Sequence, residues 1–290
     1  MAQVVVAPCS LFSVNTEIMI EAAKLARANK VRLHTHLVET IDEENYCLEF
    51  YGKRPLAWAE ECNWVGSDVW YAHGIHFSDE ELKVLENTGT GVAHCPVSNM
   101  KLSSGIAKIP QMLEAGIPVG LAIDGCGSND GSNLMAEIRS AYLLHRLNNS
   151  VTAPIGLDIL KLATIGSAKL LGREKDIGSL EVGKAAYLFM IDVSYLEQVG
   201  ALLDPESFLA TVGYSRPVEL TMINGSIVYQ DGKMLTIDEE KIKLEAKKHL
   251  IKCIKISRCF NRESLLKIRG LSLCLKLFKL INIPIYVTIK

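Results

Sequence analysis

Repeated passage from a short apolar run into an amphipathic helix constrains this chain most. Runs at residues 3–7, 31–37, 69–72, 91–95 and 118–123 have the length and β-branched content of buried strands. Between and after them, residues 16–29, 42–51, 56–62, 79–88, 109–114, 133–147 and 158–170 carry helical periodicity. Ile18, Ala22, Leu25 and Ala26 are expected on the packed face of the first helix. Ser78-Asp-Glu-Glu81 is a capping box opening the fourth helix, and Gly89 closes it. Strand alternating with helix implies a parallel sheet covered by helices. After Gly172 the texture changes. Residues 185–191 and the hairpin 219–229, turning at Asn224-Gly225, have no helices between them and imply a small separate β-layer.

Charge divides the chain again. Residues 247–290 hold 11 of the 31 Lys and Arg but a single acid, Glu263, leaving 20 basic and 32 acidic residues before them. The acidic body would repel phosphates, so nucleic acid is not an expected partner. In the basic tail, Lys276 and Lys279 interrupt the apolar run, so a membrane span is not expected either. With 49% hydrophobic residues and eight Cys that include no C-x-x-C pair, the chain is neither disordered nor a disulfide scaffold nor a zinc ribbon. Free thiols and the lack of a basic, apolar leader point to the cytoplasm.

The chemistry gathers where strands end. Residues 31–37 deliver His34 and His36, with Glu39 just beyond; 69–72 delivers His73; 118–123 delivers Asp124. The C-terminal ends of strands are where a (β/α) barrel collects its catalytic groups. Nitrogen and carboxylate ligands suit zinc or ferrous iron, which would acidify a bound water. Taken singly, each His near a strand end reads as structural and Asp124 as a turn residue; three such groups at three strand ends need a shared reason. His76 and His145 are expected outside the site, and His94 lines the pocket or bonds a loop. Cys9, Cys95 and Cys126 read as small packing residues.

The stretches LHTHLVE (33–39), VWYAHGIHF (69–77), GVAHCPVSNMKLSSG (91–105) and GLAIDGCGSND (120–130) resemble the metal-dependent amidohydrolase superfamily, in its purine and triazine deaminase branch and most of all the 8-oxoguanine deaminases. The resemblance runs from residue 7 to about residue 232. It implies a partial (β/α)8 barrel, about strands 4–8, over residues 1–172, and a small β-sandwich portion over 173–240. Residues 241–290 form a basic apolar tail outside the fold. It also implies roles. His36 is the fifth-strand metal ligand. Glu39 shuttles a proton between the attacking water and the ring. His73 orients that water, and Asp124 is both metal ligand and general base. Ser98 and Asn99 are weaker candidates for substrate or loop contacts. One divalent metal, zinc or else iron, and a small heterocyclic substrate follow.

The family's first-strand His-x-His is missing from this sequence. His34-Thr-His36 has that spacing, but Glu39 after it, and then His73 and Asp124 in order, favour the fifth strand; His34 then lies one layer below His36. With His36 and Asp124 as the only assignable ligands, the isolated chain is expected to be inactive, to hold less than stoichiometric zinc and to associate with an upstream fragment or a second copy. The alternative is a non-catalytic remnant or a partner-dependent half of such an enzyme.

Overall fold

The computed structural model of the protein describes residues 2–149 and 153–259. Val4–Ile227 forms one compact unit, and residues 2–3 with the described chain from Val228 onward form another. In the larger unit, β1 (Val5–Val6), β2 (Arg32–Leu37), β3 (Val69–His73), β4 (Gly91–His94) and β5 (Val119–Leu121) make a parallel five-stranded sheet in sequence order. Helices α1 (Thr16–Ala28), α2 (Ile41–Tyr51), α3 (Pro55–Glu61) and α4 (Asp79–Thr88) connect the first four strands. Parallel neighbours need such crossovers, because a tight hairpin cannot return the chain in the same direction.

Strand β2 alternates in burial. Leu33, Thr35 and Leu37 are buried, while Arg32, His34 and His36 lie on the other face, half-buried. Leu33, Leu37, Val69, Tyr71, Val92, Val119 and Leu121 join one core with helix residues such as Met19, Trp58, Leu85 and Met112. The buried ring nitrogen of Trp64 is satisfied by the Met19 carbonyl at 2.8 Å, and the Tyr71 hydroxyl by the Trp64 carbonyl. On α1 the buried residues are Met19, Ala23 and Ala26, whereas Ile18 and Leu25 are exposed. The expected face was therefore about one residue out of register. The i, i+4, i+7 series from Met19 carries one large apolar side chain and two small ones, which let the helix seat closely on the sheet.

The capping box of α4 forms as expected. Ser78 Oγ accepts the Glu81 N–H at 3.2 Å, and Glu81 Oε2 accepts the Ser78 N–H at 2.8 Å. Gly89 closes the helix at φ 69°. Two of the next three helices were not anticipated. Helix α5 (Pro96–Lys101) follows β4 directly, α6 (Ile109–Glu114) forms with the expected bounds, and α7 (Cys126–Asn129) is a single turn after β5. The first and last of these hide in Gly-, Ser- and Asn-rich stretches that read as loop. After α8 (Leu134–Asn149), the expected helix 158–170 is three pieces: α9 (Gly156–Lys161), a π-turn over Leu162–Gly166, and α10 (Ser167–Leu170).

Beyond Gly172, β6 (Leu188–Met190) and β7 (Leu220–Ile223) pair antiparallel, with the short helix α11 (Phe208–Thr211) between them in sequence. Asn224 and Gly225 both have positive φ, 52° and 79°, as a type I′ hairpin turn requires. Strand β8 (Ser226–Gln230) pairs antiparallel with β9 (Lys233–Met234), and α12 (Glu239–Cys259) follows. Among the described residues no helix is long and apolar enough to cross a membrane. The tail positions Lys276 and Lys279 lie outside the described residues.

Candidate metal centre

Strands β2 and β3 and the chain after β5 bring His36, Glu39, His73 and Asp124 to the same end of the sheet. One ligand atom each from His36, His73 and Asp124 lies within 4.8 Å of the other two. His73 Nε2 is 3.6 Å from Glu39 Oε2 and 3.9 Å from Asp124 Oδ2. The exits from these strands are strained. Val38, His73 and Asp124 have φ of 49°, 69° and 70°, in the left-handed region that non-glycine residues seldom enter. Such positions cost about 1–3 kcal/mol each and persist only where surrounding contacts over-determine them.

Those contacts are present at every site residue. His36 Nδ1–H donates to the Cys9 carbonyl at 2.5 Å, the same oxygen that accepts the His36 backbone N–H at 3.1 Å and the Thr35 hydroxyl at 3.2 Å. This fixes the ring through Nδ1, as the outer hydrogen bond of a metal-binding imidazole does. Hydrogen bonding to the Cys9 side chain is the chief influence raising the His36 pKa, to about 9. His73 is buried and donates Nδ1–H to Asn99 Oδ1 at 2.8 Å, so its Nε2 faces the two carboxylates. Asp124 Oδ2 accepts from Ser98 Oγ at 2.5 Å and Ser128 Oγ at 2.8 Å, and Oδ1 from the Gly125 N–H at 2.6 Å. Burial pushes the Asp124 carboxyl up, but Ser98, the Gly125 N–H and Ser128 more than offset it, so its pKa lies below the usual value. Ser98 and Asn99 are fully buried; Ser98 Oγ bonds Asp124 and Asn99 Oδ1 bonds His73.

The remaining histidines divide. His34 stacks on Trp70 with ring centroids 5.1 Å apart and is not one of the three clustered ligands. His76 Nε2 bonds the Ser104 carbonyl at 2.9 Å. His94 and His145 are both buried and meet through their Nε2 atoms at 3.1 Å, so His94 bonds a helix side chain rather than a loop. Cys95 is buried as expected, but Cys9 and Cys126 are exposed and are not packing residues. Two buried acids escaped the sequence reading. Glu43 on α2 accepts the Glu39 N–H at 2.9 Å, and Glu137 on α8 accepts the Val97 N–H at 3.1 Å. The signal was available in the helical period. Glu43 lies one turn from buried Cys47, and Glu137 shares a stripe with Ala141, Leu144 and His145.

Two imidazoles and a carboxylate, each oriented from behind and aimed at one point, suit zinc or ferrous iron in donor type. They stand at the C-terminal ends of parallel strands beside a further carboxylate and form a candidate metal centre. The sequence pattern of the Amidohydrolase family matches residues 1–228, and the chain belongs to that family. Among its relatives, hydroxydechloroatrazine ethylaminohydrolase of Pseudomonas sp. (strain ADP) is 43% identical over 245 residues, 83% of this chain and 50% of the relative. The 8-oxoguanine deaminase of Pseudomonas aeruginosa is 43% identical over 236 residues, 81% of this chain and 52% of the relative. Among solved structures, an adenosine deaminase from Xanthomonas campestris with bound zinc superposes with a TM-score of 0.80 at 30% identity, over 83% of this chain and 55% of that one. Atrazine chlorohydrolase TrzN from Arthrobacter aurescens, complexed with zinc, gives 0.79 at 31% identity, over 83% and 53%. The chain thus spans about half the length of the relatives it matches.

Proposed function

We propose that this chain carries the catalytic face of an enzyme that hydrolytically deaminates a purine-like or triazine-like heterocycle, 8-oxoguanine foremost, with release of ammonia. The observation that carries the reading is the convergence of His36, His73 and Asp124 within 4.8 Å, with Glu39 3.6 Å from His73. His36 and Asp124 would hold one divalent ion, zinc before iron. When bound, such an ion brings the pKa of a water toward neutrality. Asp124, kept ionised by its three donors, accepts the proton of the attacking water. Glu39 carries the other proton of that water to the ring nitrogen, and then relays the proton held by Asp124 to the leaving amine. His73, held through Asn99, orients the water between the two carboxylates. Substitution of water for ammonia turns the amidine carbon into a carbonyl. A cytoplasmic setting belongs to the same reading, since six cysteines among the described residues are free thiols.

Ammonia release tests it. The chain is co-expressed with the part of the Pseudomonas aeruginosa relative that it does not match, and the complex is offered 8-oxoguanine, guanine and a hydroxylated triazine. Release from 8-oxoguanine, abolished by Asp124→Asn, is the expected result. A soluble zinc-containing complex that deaminates none of the three would overturn the reading.

A further inference from the structure

Asp124 and His73 owe their placement to two separate segments. Ser98 and Asn99, which bond Asp124 and His73, ride on α5; Asp124 itself sits in the turn leading into α7. Both segments end on the same carboxylate. Glu137 is fully buried. Its Oε2 accepts the Val97 N–H, in the first turn of α5, at 3.1 Å, and its Oε1 accepts Asn129 Nδ2 at 2.5 Å. The same Asn129 Nδ2 donates to the carbonyl of Ile123, the residue before Asp124, at 2.8 Å, and Asn129 Oδ1 accepts the Ser132 N–H at 2.9 Å. The α5 backbone, Glu137, Asn129 and the Asp124 turn therefore form one continuous hydrogen-bonded chain.

An acid taken wholly out of water is costly, and an apolar side chain could fill the same volume on α8. What a carboxylate alone supplies here is two acceptors at a fixed spacing, facing one donor from each segment. A glutamine cannot substitute. Its NH2 must face either the Val97 N–H or the Asn129 NH2, donor against donor, and Asn129 is not free to turn because Ile123 and Ser132 hold it. We propose that Glu137 is the positioning residue that sets the separation of Asp124 and His73, and with it the affinity of the metal centre. The inference rests on the functional reading above for the metal, but not for the His73 geometry.

The test uses the full chain, Co2+ as the probe and 15N shifts of the His73 ring. Glu137→Gln is expected to weaken Co2+ binding by about 10–100-fold, the usual scale for groups that orient ligands. It is also expected to move the His73 ring from a single Nδ1–H tautomer to a mixture, since α5 carries Asn99. Asn129→Ala cuts only the Asp124 arm, so it is expected to weaken Co2+ similarly while leaving the His73 tautomer as in the parent. Combined, the two changes are expected to cost less than their sum, because they break one chain. If Glu137→Gln does not fold, Asn129→Ala decides: parental Co2+ affinity there overturns the proposal. Parental affinity and parental tautomer in folded Glu137→Gln overturn it too. If the parent chain binds no Co2+ at the Asp124 site, the metal reading fails, and the His73 ring in Glu137→Gln alone decides the positioning role.

Discussion

The charged and ring groups at the site are poised against each other, and stability should register this. Burial pushes Glu43 up to about 7 from 4.5, so the folded state holds its proton longer than the unfolded chain does. Its contribution is full below pH 4.5 and is lost as pH rises through 7, on the order of 3 kcal/mol for such a shift. His36, raised to about 9, is lost in the same direction over pH 6.5 to 9. Burial lowers His34 and His145 to about 4, so both remove stability as pH falls from 6.5 to 4. Thermal unfolding with chelator present is therefore expected to peak near pH 6.5, and Glu43→Gln to raise stability at pH 8 relative to pH 5. An identical pH profile in that variant would contradict the burial argument. Glu39→Gln is expected to keep the metal yet lower kcat by about 10²-fold or more, measured as ammonia release from the reconstituted complex. His36, Glu39, His73 and Asp124 were legible in the sequence because polar, chemistry-bearing side chains stand there at the ends of apolar runs. Glu43 and Glu137 were not, because an acid on an amphipathic helix reads as solvated until the buried stripe is traced through it.

Among the elements, the strands were the most legible, since each is an apolar run bounded by turn residues. Their ends were less so. Residues 118–123 read as one strand, yet β5 is only Val119–Leu121, and the chain then bends toward Asp124. Helices α5 and α7 were hidden because Pro, Ser, Gly and Asn form them, residues whose local preferences favour turns and whose helical state here is imposed by packing. The π-turn over Leu162–Gly166 makes close contacts that sequence periodicity does not reveal. A Cβ on Gly166 would come within 2.3 Å of the Val119 carbonyl oxygen, and one on Gly120 within 2.7 Å of Leu170 Cδ1. The turn thus lies directly against β5, on the strand that leads to Asp124. Gly166→Ala is expected to destabilise the protein by about 1–3 kcal/mol, the scale of overpacking, read as a lowered urea midpoint. An unchanged midpoint would show that the contact relaxes freely.

At the scale of the whole chain, β1 and β5 stand at the two edges of the parallel sheet, and β1 is only two residues long. Edge strands recruit further strands, so self-association, or pairing with a chain that adds strands beyond β1, is expected in sedimentation. Helix α12 is exposed over Glu239–Cys253, and the family match ends at residue 228. A stop after Lys248 is therefore expected to leave the far-UV spectrum and solubility of the remainder unchanged or improved; loss of folding would place the basic segment inside the fold. The charge break that set this segment apart was plain in the sequence, whereas anything that would pair with the β1 edge leaves no mark in local pattern, because pairing depends on what lies beside a strand in space. The central claim is that His36 and Asp124 hold one metal ion, with His73 beside them. The most direct test is the Zn2+ or Co2+ binding isotherm of the full chain beside His36→Ala and Asp124→Asn. A single saturable site that falls below one ion per chain after dialysis, and is lost in both variants, is the expected result; no binding, or binding that survives either substitution, would contradict it.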